Sequence, residues 1–259
     1  MHAFRGERMT DELLSLRAIL LSAAQNDHEM FRQAASTARV PIEIVECKSV
    51  AAACQALGDG ADLVFIDGAV AGVATAQVVA AARAERKPPF LVLLAAPDAA
   101  VAPLTTDAAA AKPVRLEQVR RLVERAMRVR IANRVLVVDD SSTMRSIVRK
   151  ILGATRFPFD VSEAAEGAAA LKLARDSEFD IVFLDYNMPG FNGLETLAEF
   201  KREKRRMTVV VMSSAQDASL AERVRLQGAA FLKKPFYPAD IEAVLIRHYG
   251  LTALNPERG

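Results

Sequence analysis

The 259 residues, 51% apolar and 25% charged, are enough for one large or two ordinary globular units with real cores, and two is the better match to that length. Thirty-four Lys and Arg stand against 32 Asp and Glu with signs mixed along the chain, which argues against binding nucleic acid or membrane through bulk charge and leaves partners to be recognised locally. Cys47 and Cys54 have neither CxxC spacing nor companion histidines, which argues against a zinc site or disulfide framework and fits a reduced cytoplasm.

In chain order, residues 1–15 read as an N-terminal extension without the apolar stretch of a signal peptide. No run along the chain reaches the ~18 apolar residues of a spanning helix, so the expectation is a cytoplasmic protein without membrane insertion. Apolar runs at 18–21, 42–45, 63–66 and 90–94, then the alanines at 108–111, predict five short strands. His28, near the start of the first intervening helix, reads as an exposed polar residue. Pro97 and Pro103 predict an irregular segment where a fourth helix would lie. Leu116, Val119, Leu122, Val123, Ala126 and Met127 form a helical stripe whose arginines read as a solvated face.

The pattern then repeats more clearly. Strands are predicted at 134–138, 159–161, 181–184, 209–212 and 230–232, alternating with helices at 144–152, 164–174, 194–200, 220–226 and 241–246. Near-continuous apolar strands joined by helices imply a parallel sheet covered on both faces. The expected fold is therefore α/β, with two doubly wound five-stranded parallel-sheet (flavodoxin-like) domains in tandem at 16–130 and 133–250, followed by a short tail at 251–259. The best anchor for duplication is the match of 61–67, ADLVFID, to 179–185, FDIVFLD, which places Asp67 and Asp185 at equivalent strand ends. Lys112-Pro113 likewise mirrors Lys234-Pro235.

A doubly wound sheet gathers side chains from the carboxyl ends of its strands into one crevice. There the second half would bring together Asp139 and Asp140 from the first strand, Asp185 from the third, Ser214 after the fourth and Lys234 after the fifth. Taken singly these residues have ordinary readings: a helix cap, a turn before Pro189-Gly190, a surface lysine. Their joint placement overrides those readings. Three carboxylates at close range repel, and a hard divalent cation holds them ionised. Mg2+ suits them because it takes one or two carboxylates, keeps waters and accepts a phosphate oxygen. With the metal and Lys234 neutralising a phosphoryl group, Asp185 can attack in line and form an aspartyl phosphate, and the Ser214 hydroxyl can donate to the same oxygens.

These motifs, VDDSSTMR at 138–145, DYNMPG at 185–190 and KPF at 234–236, closely resemble the CheY-like receiver domains of bacterial two-component response regulators. The resemblance covers residues 133–250. It implies that Asp140, Asp185 and the backbone carbonyl of Asn187 ligate Mg2+, with Asp139 reaching it mainly through water. It further implies that Ser214 moves toward bound phosphate and that Phe231, at the aromatic switch position, follows. Asn187 and Gln216 match positions that tune hydrolysis, and Lys234-Pro235 matches the family's cis-proline turn. The implied partners are a sensor histidine kinase or phosphotransfer protein and a downstream protein target, with a homodimer also admissible and no nucleic acid. On this reading the chain is no enzyme beyond catalysing its own aspartyl phosphorylation and dephosphorylation, and the last nine residues leave no space for a separate output domain.

The first half resembles a degenerate receiver. Ser22 and Ala23 stand in for the acidic pair, Ala95 for Ser214 and Ala109 for Phe231, while Asp67 and Lys112 remain as a structural ion pair. Two other classes compete with this account. A haloacid-dehalogenase-like phosphatase would use a similar residue set but places its acidic pair last, and a silent structural adaptor would use neither site.

Overall fold

The computed structural model describes residues 15–70, 73–95, 106–215 and 218–252. Gln216 and the segment holding Pro97 and Pro103 lie outside the described residues. The chain divides into two compact units, Met1–Met127 and Arg128–Gly259.

In the first unit the strands are β1 (Leu16–Leu21), β2 (Ile42–Cys47), β3 (Leu63–Asp67), β4 (Phe90–Ala95) and β5 (Ala108–Ala111). They alternate with helices α1 (Gln25–Ser36), α2 (Val50–Leu57) and α3 (Val73–Ala84), and α4 (Leu116–Arg128) follows β5. The second unit runs β6 (Asn133–Val138), α5 (Ser142–Ala154), β7 (Phe159–Ala164), α6 (Gly167–Asp176), β8 (Ile181–Asp185), α7 (Gly193–Arg202), β9 (Thr208–Ser213), α8 (Ala218–Leu226), β10 (Ala230–Lys233) and α9 (Pro238–His248).

Each unit holds one five-stranded sheet with parallel pairing throughout, in the orders β2-β1-β3-β4-β5 and β7-β6-β8-β9-β10. The sequence dictates which strands are central. LVFID in β3 and IVFLD in β8 are buried at every residue, as a strand covered on both faces must be, and their β-branched and aromatic side chains suit that place. The edge strands β2 and β7 share one half-buried pattern, and each keeps a glutamate, Glu46 or Glu163, one residue before the last.

Helices close the faces by amphipathic burial. α4 buries Val119, Leu122, Val123, Ala126 and Met127, the stripe that its spacing predicts, with each fully buried apolar side chain contributing about 1.5–3 kcal/mol. In the first unit Phe31 of α1 meets Phe65 of β3 edge-on, with ring centroids 5.1 Å apart. The basic run at 201–206 is a solvated helix end, where Arg202 pairs with Glu199 and Arg205 with Glu203. Among the described residues no helix is long and apolar enough to cross a membrane.

Candidate functional site

Asp139 follows directly on β6, and its amide donates to the Ala164 carbonyl of the edge strand. Two caps then turn the chain. The Asp139 side chain accepts from the Ser141 amide at 2.9 Å, and Ser141 as N-cap of α5 accepts from the Met144 amide at 3.3 Å. The strand thus leads into two successive aspartates, and the side chains of Asp139 and Ser141 start the helix.

Asp185 ends β8. The chain leaves it through Pro189-Gly190, with Gly190 at φ +76°, and enters α7 at Gly193, where an added Cβ would lie 2.5 Å from the Asp185 carbonyl oxygen. Asn192 and Glu195 form a capping box that fixes this entry. Lys234 follows β10, its amide bonded to the Ser213 carbonyl at 2.8 Å, and the Lys234-Pro235 peptide is cis.

These elements converge at one end of the sheet. Lys234 Nζ donates to Asp139 Oδ2 and to Asp185 Oδ1, both at 2.8 Å. Asp139, Asp140 and Asp185 each place a carboxylate oxygen within 4.8 Å of the other two. Asp139 and Asp185 are buried and Asp140 is exposed, so the cluster opens to solvent on one side. Burial pushes the Asp185 carboxyl above its usual range, and the neighbouring Asp139 and Asp140 push it further; the Lys234 ammonium opposes this without cancelling it. Lys234 is itself held more firmly protonated, because its hydrogen bonds to both carboxylates outweigh its burial. One ammonium against three carboxylates leaves an uncompensated negative charge. A hard cation fits that charge, the all-oxygen donor set and the open side.

Ser214 follows the fourth strand, as its position in the sequence predicts. It lies beyond β9 and is exposed. β9 continues through Ser213, whose side chain is fully buried and whose Oγ accepts from the Ala215 amide at 3.1 Å. By strand alternation Ser213 shares the face of Val209 and Val211, which belong to the core cluster against which Phe231 packs. Phe231 is half-buried and pairs with Val211, while Ser213 pairs with Lys233. The hydroxyl at the end of the fourth strand is therefore that of Ser213. Asn187 is exposed in the loop after β8.

The first unit departs from a simple ion pair. Lys112 Nζ reaches Asp67 Oδ2 at 2.7 Å and Asp27 Oδ2 at 3.0 Å. Ser22 Oγ lies 2.6 Å from the same Asp27 oxygen and 3.1 Å from the same Asp67 oxygen. Asp27, on the first turn of α1, supplies a second carboxylate. Burial pushes the Asp67 carboxyl upward, but hydrogen bonds from Lys112, the Ala69 amide and Ser22 outweigh it and hold the group below its usual range. His28 is fully buried rather than exposed. Its Nε2 lies 2.8 Å from the Ser22 carbonyl, and since a carbonyl only accepts, that nitrogen carries the proton. Ala95 pairs beside Ala111 as Ser213 does beside Lys233, so it is the counterpart of Ser213.

Residues 135–246 match the family described as the response regulator receiver domain. Chemotaxis protein CheY-3 of Vibrio cholerae is 30% identical over 115 residues, covering 43% of this chain and 88% of that protein. Chemotaxis protein CheY of Thermotoga maritima is 30% identical over 117 residues, covering 44% and 96%. A solved structure of a probable two-component system response regulator/GGDEF domain protein, 21% identical, covers 91% of this chain and 98% of its own at a TM-score of 0.53. A putative protein of the same description, 22% identical, gives 91%, 98% and 0.51, so the resemblance in fold extends over both units. The chain belongs to the response regulator receiver family, with a CheY-like second unit in a tandem of two receiver folds.

Proposed function

We propose that the second unit accepts a phosphoryl group on Asp185 in a Mg2+-dependent reaction and thereby switches contacts with other proteins. The observation that carries this reading is the excess negative charge of Asp139, Asp140 and Asp185 over Lys234 at the carboxyl ends of β6, β8 and β10. Asp139, Asp140 and Asp185 would hold Mg2+, which supplies charge neutralisation for phosphate oxygens. The donor is a phosphohistidine on a sensor kinase or phosphotransfer protein. An Asp185 carboxylate oxygen forms the new bond to phosphorus as the bond to the donor nitrogen breaks, and that nitrogen keeps the electron pair. Lys234, held protonated between two carboxylates, is placed to follow the incoming oxygens. Hydrolysis by water restores the carboxylate. The chain turns over no external phosphoester.

The buried hydroxyl that would respond is that of Ser213. Its displacement toward phosphate would open space beside Val211 and let half-buried Phe231 repack, altering the surface of α8, β10 and α9. The first unit takes no phosphate on this reading, because Ser22 and Ala23 stand in place of the acidic pair and the carboxylates it keeps, Asp27 and Asp67, are already bonded to Lys112 and Ser22. Its part is to dock a partner or to modulate the second unit.

Treatment with acetyl phosphate and Mg2+, followed by intact-mass measurement, tests this. Wild type and Asp67→Asn should each gain one phosphoryl group, and Asp185→Asn none. Labelling of Asp185→Asn to the wild-type level, or no labelling of wild type, would overturn the proposal.

A further inference from the structure

The acidic loop is held from behind by a residue that the chemistry above does not use. Arg145, on the first turn of α5, donates from Nη1 to the Asp139 carbonyl at 2.7 Å and to the Asp140 carbonyl at 3.4 Å. Its Nε reaches back to Glu163 Oε2 on the edge strand at 3.1 Å. Glu163 pairs beside Val137 of β6, and its other oxygen lies 3.5 Å from Arg149 one helical turn further on. One planar guanidinium therefore ties two successive carbonyls to a side chain fixed by the sheet register. Its side chain is only 17% exposed, which limits the alternatives open to it.

The first unit repeats this arrangement with different chemistry. His28 stands six residues after Ser22, as Arg145 stands six after Asp139. Its Nε2 donates to the Ser22 carbonyl, and its Nδ1 lies 3.8 Å from Glu46, which pairs beside Leu20 as Glu163 does beside Val137. Arg32 binds Glu46 at 2.6 Å, in the place that Arg149 holds toward Glu163. The imidazole has one donor for one carbonyl, and its Nδ1 is buried without a hydrogen-bond partner. Where the acidic pair is absent, the brace reaches one carbonyl; where the pair is present, it reaches two.

We propose that Arg145, anchored by Glu163, is a positioning residue that fixes the backbone from which Asp139 and Asp140 present their carboxylates to a divalent cation. This rests on the reading of the site as a cation-assisted phosphoacceptor. Charge alone predicts the opposite consequence for the arginine. A positive guanidinium beside the cluster repels an incoming cation, so its removal would tighten Mg2+ binding if the effect were only Coulombic. Loosening two carbonyls weakens binding instead, and loss of a group that orients metal ligands typically costs 10- to 100-fold in affinity.

The test is calorimetric titration of the full chain with Mg2+, alongside acetyl-phosphate labelling across Mg2+ concentrations. Arg145→Ala should weaken Mg2+ binding about tenfold. Its labelling should need correspondingly more Mg2+ and approach the wild-type rate at saturation. Arg145→Lys, which can reach a carbonyl but cannot form the same fork, should fall between. Glu163→Gln frees the guanidinium and should also weaken binding, as the loss of a negative charge alone would; Arg145→Lys, which keeps the charge, carries the test if Arg145→Ala loses its fold by circular dichroism. Wild-type or tighter Mg2+ binding in folded Arg145→Ala, or wild-type binding in Glu163→Gln, overturns the brace even while Asp185→Asn still abolishes labelling. A wild-type chain that neither binds Mg2+ nor takes phosphate removes the site reading and the brace together.

Discussion

Without Mg2+ at neutral pH, Asp185→Asn stabilises the second unit, whereas Asp67→Asn destabilises the first. The two aspartates end equivalent strands, yet their surroundings have opposite signs. Asp185 has a raised carboxyl pKa because burial, Asp139 and Asp140 outweigh Lys234. For such a group the folded state binds the proton more tightly, so stability is greatest below the unfolded pKa and is lost as pH rises through the folded value. A neutral amide at this position carries no such burial and charge-repulsion penalty, so the substitution is expected to stabilise the unit at neutral pH. Asp67 has a lowered pKa, so its contribution is present above the unfolded value and disappears as pH falls through the folded one. An amide there sets its own NH2 against Lys112 and costs about 1–3 kcal/mol. Hydrogen exchange followed by mass spectrometry reads each unit separately through peptides from β3 and β8. Mg2+ should reverse the comparison for Asp185: at ten times its Kd, a cation bound only by the folded wild type adds about 1.4 kcal/mol, and Asp185→Asn forfeits most of this. Equal signs for the two substitutions would contradict this account of the sites.

Lys234→Met should produce the larger loss. Asp139 is 1% and Asp185 4% exposed, and each has this ammonium 2.8 Å away. Without it two buried carboxylates face one another, and breaking a buried pair in this way costs about 3–5 kcal/mol. The deficit should be greatest at pH 8 and shrink toward pH 5, as one carboxyl takes a proton in place of the lost charge. Millimolar Mg2+ should restore much of the stability. Labelling by acetyl phosphate should stay slow, by about 100-fold or more, because a donor placed for the transferring oxygens is missing. Urea unfolding at the two pH values and a labelling time course measure both effects. Stability that does not depend on pH in Lys234→Met would show that the lysine is not the counterion of the pair.

Much of this was legible in the sequence because short apolar runs stop at the residues that matter. Asp139, Asp140, Asp185 and Lys234 each follow such a run, and a parallel sheet brings those ends together whatever the detail of packing. Two adjacent serines leave the same logic one residue short of a decision. A strand boundary is uncertain by a residue, and one residue changes the face, so only the pairing of Lys233 with Ser213 identifies the buried hydroxyl. Asp27 goes unread and His28 reads as exposed for another reason. Their positions depend on the phase at which α1 leaves β1, and nothing in a polar helix start reveals which side turns inward. The brace was present in the repeat itself, since aligning Ser22 with Asp139 also aligns His28 with Arg145 and Glu46 with Glu163. What the alignment lacks is the strand register that brings those pairs into contact.

Lys112 has a consequence for any attempt to revive the first unit by design. Its ammonium already has a full complement of counterions, one of them drawn from α1. Writing aspartates back at Ser22 and Ala23 alone would crowd four carboxylates around one lysine and remove the hydroxyl that now bridges two of them. A working graft would have to delete Asp27 at the same time. The first site is better understood as one rewired around its lysine than as one with two letters missing.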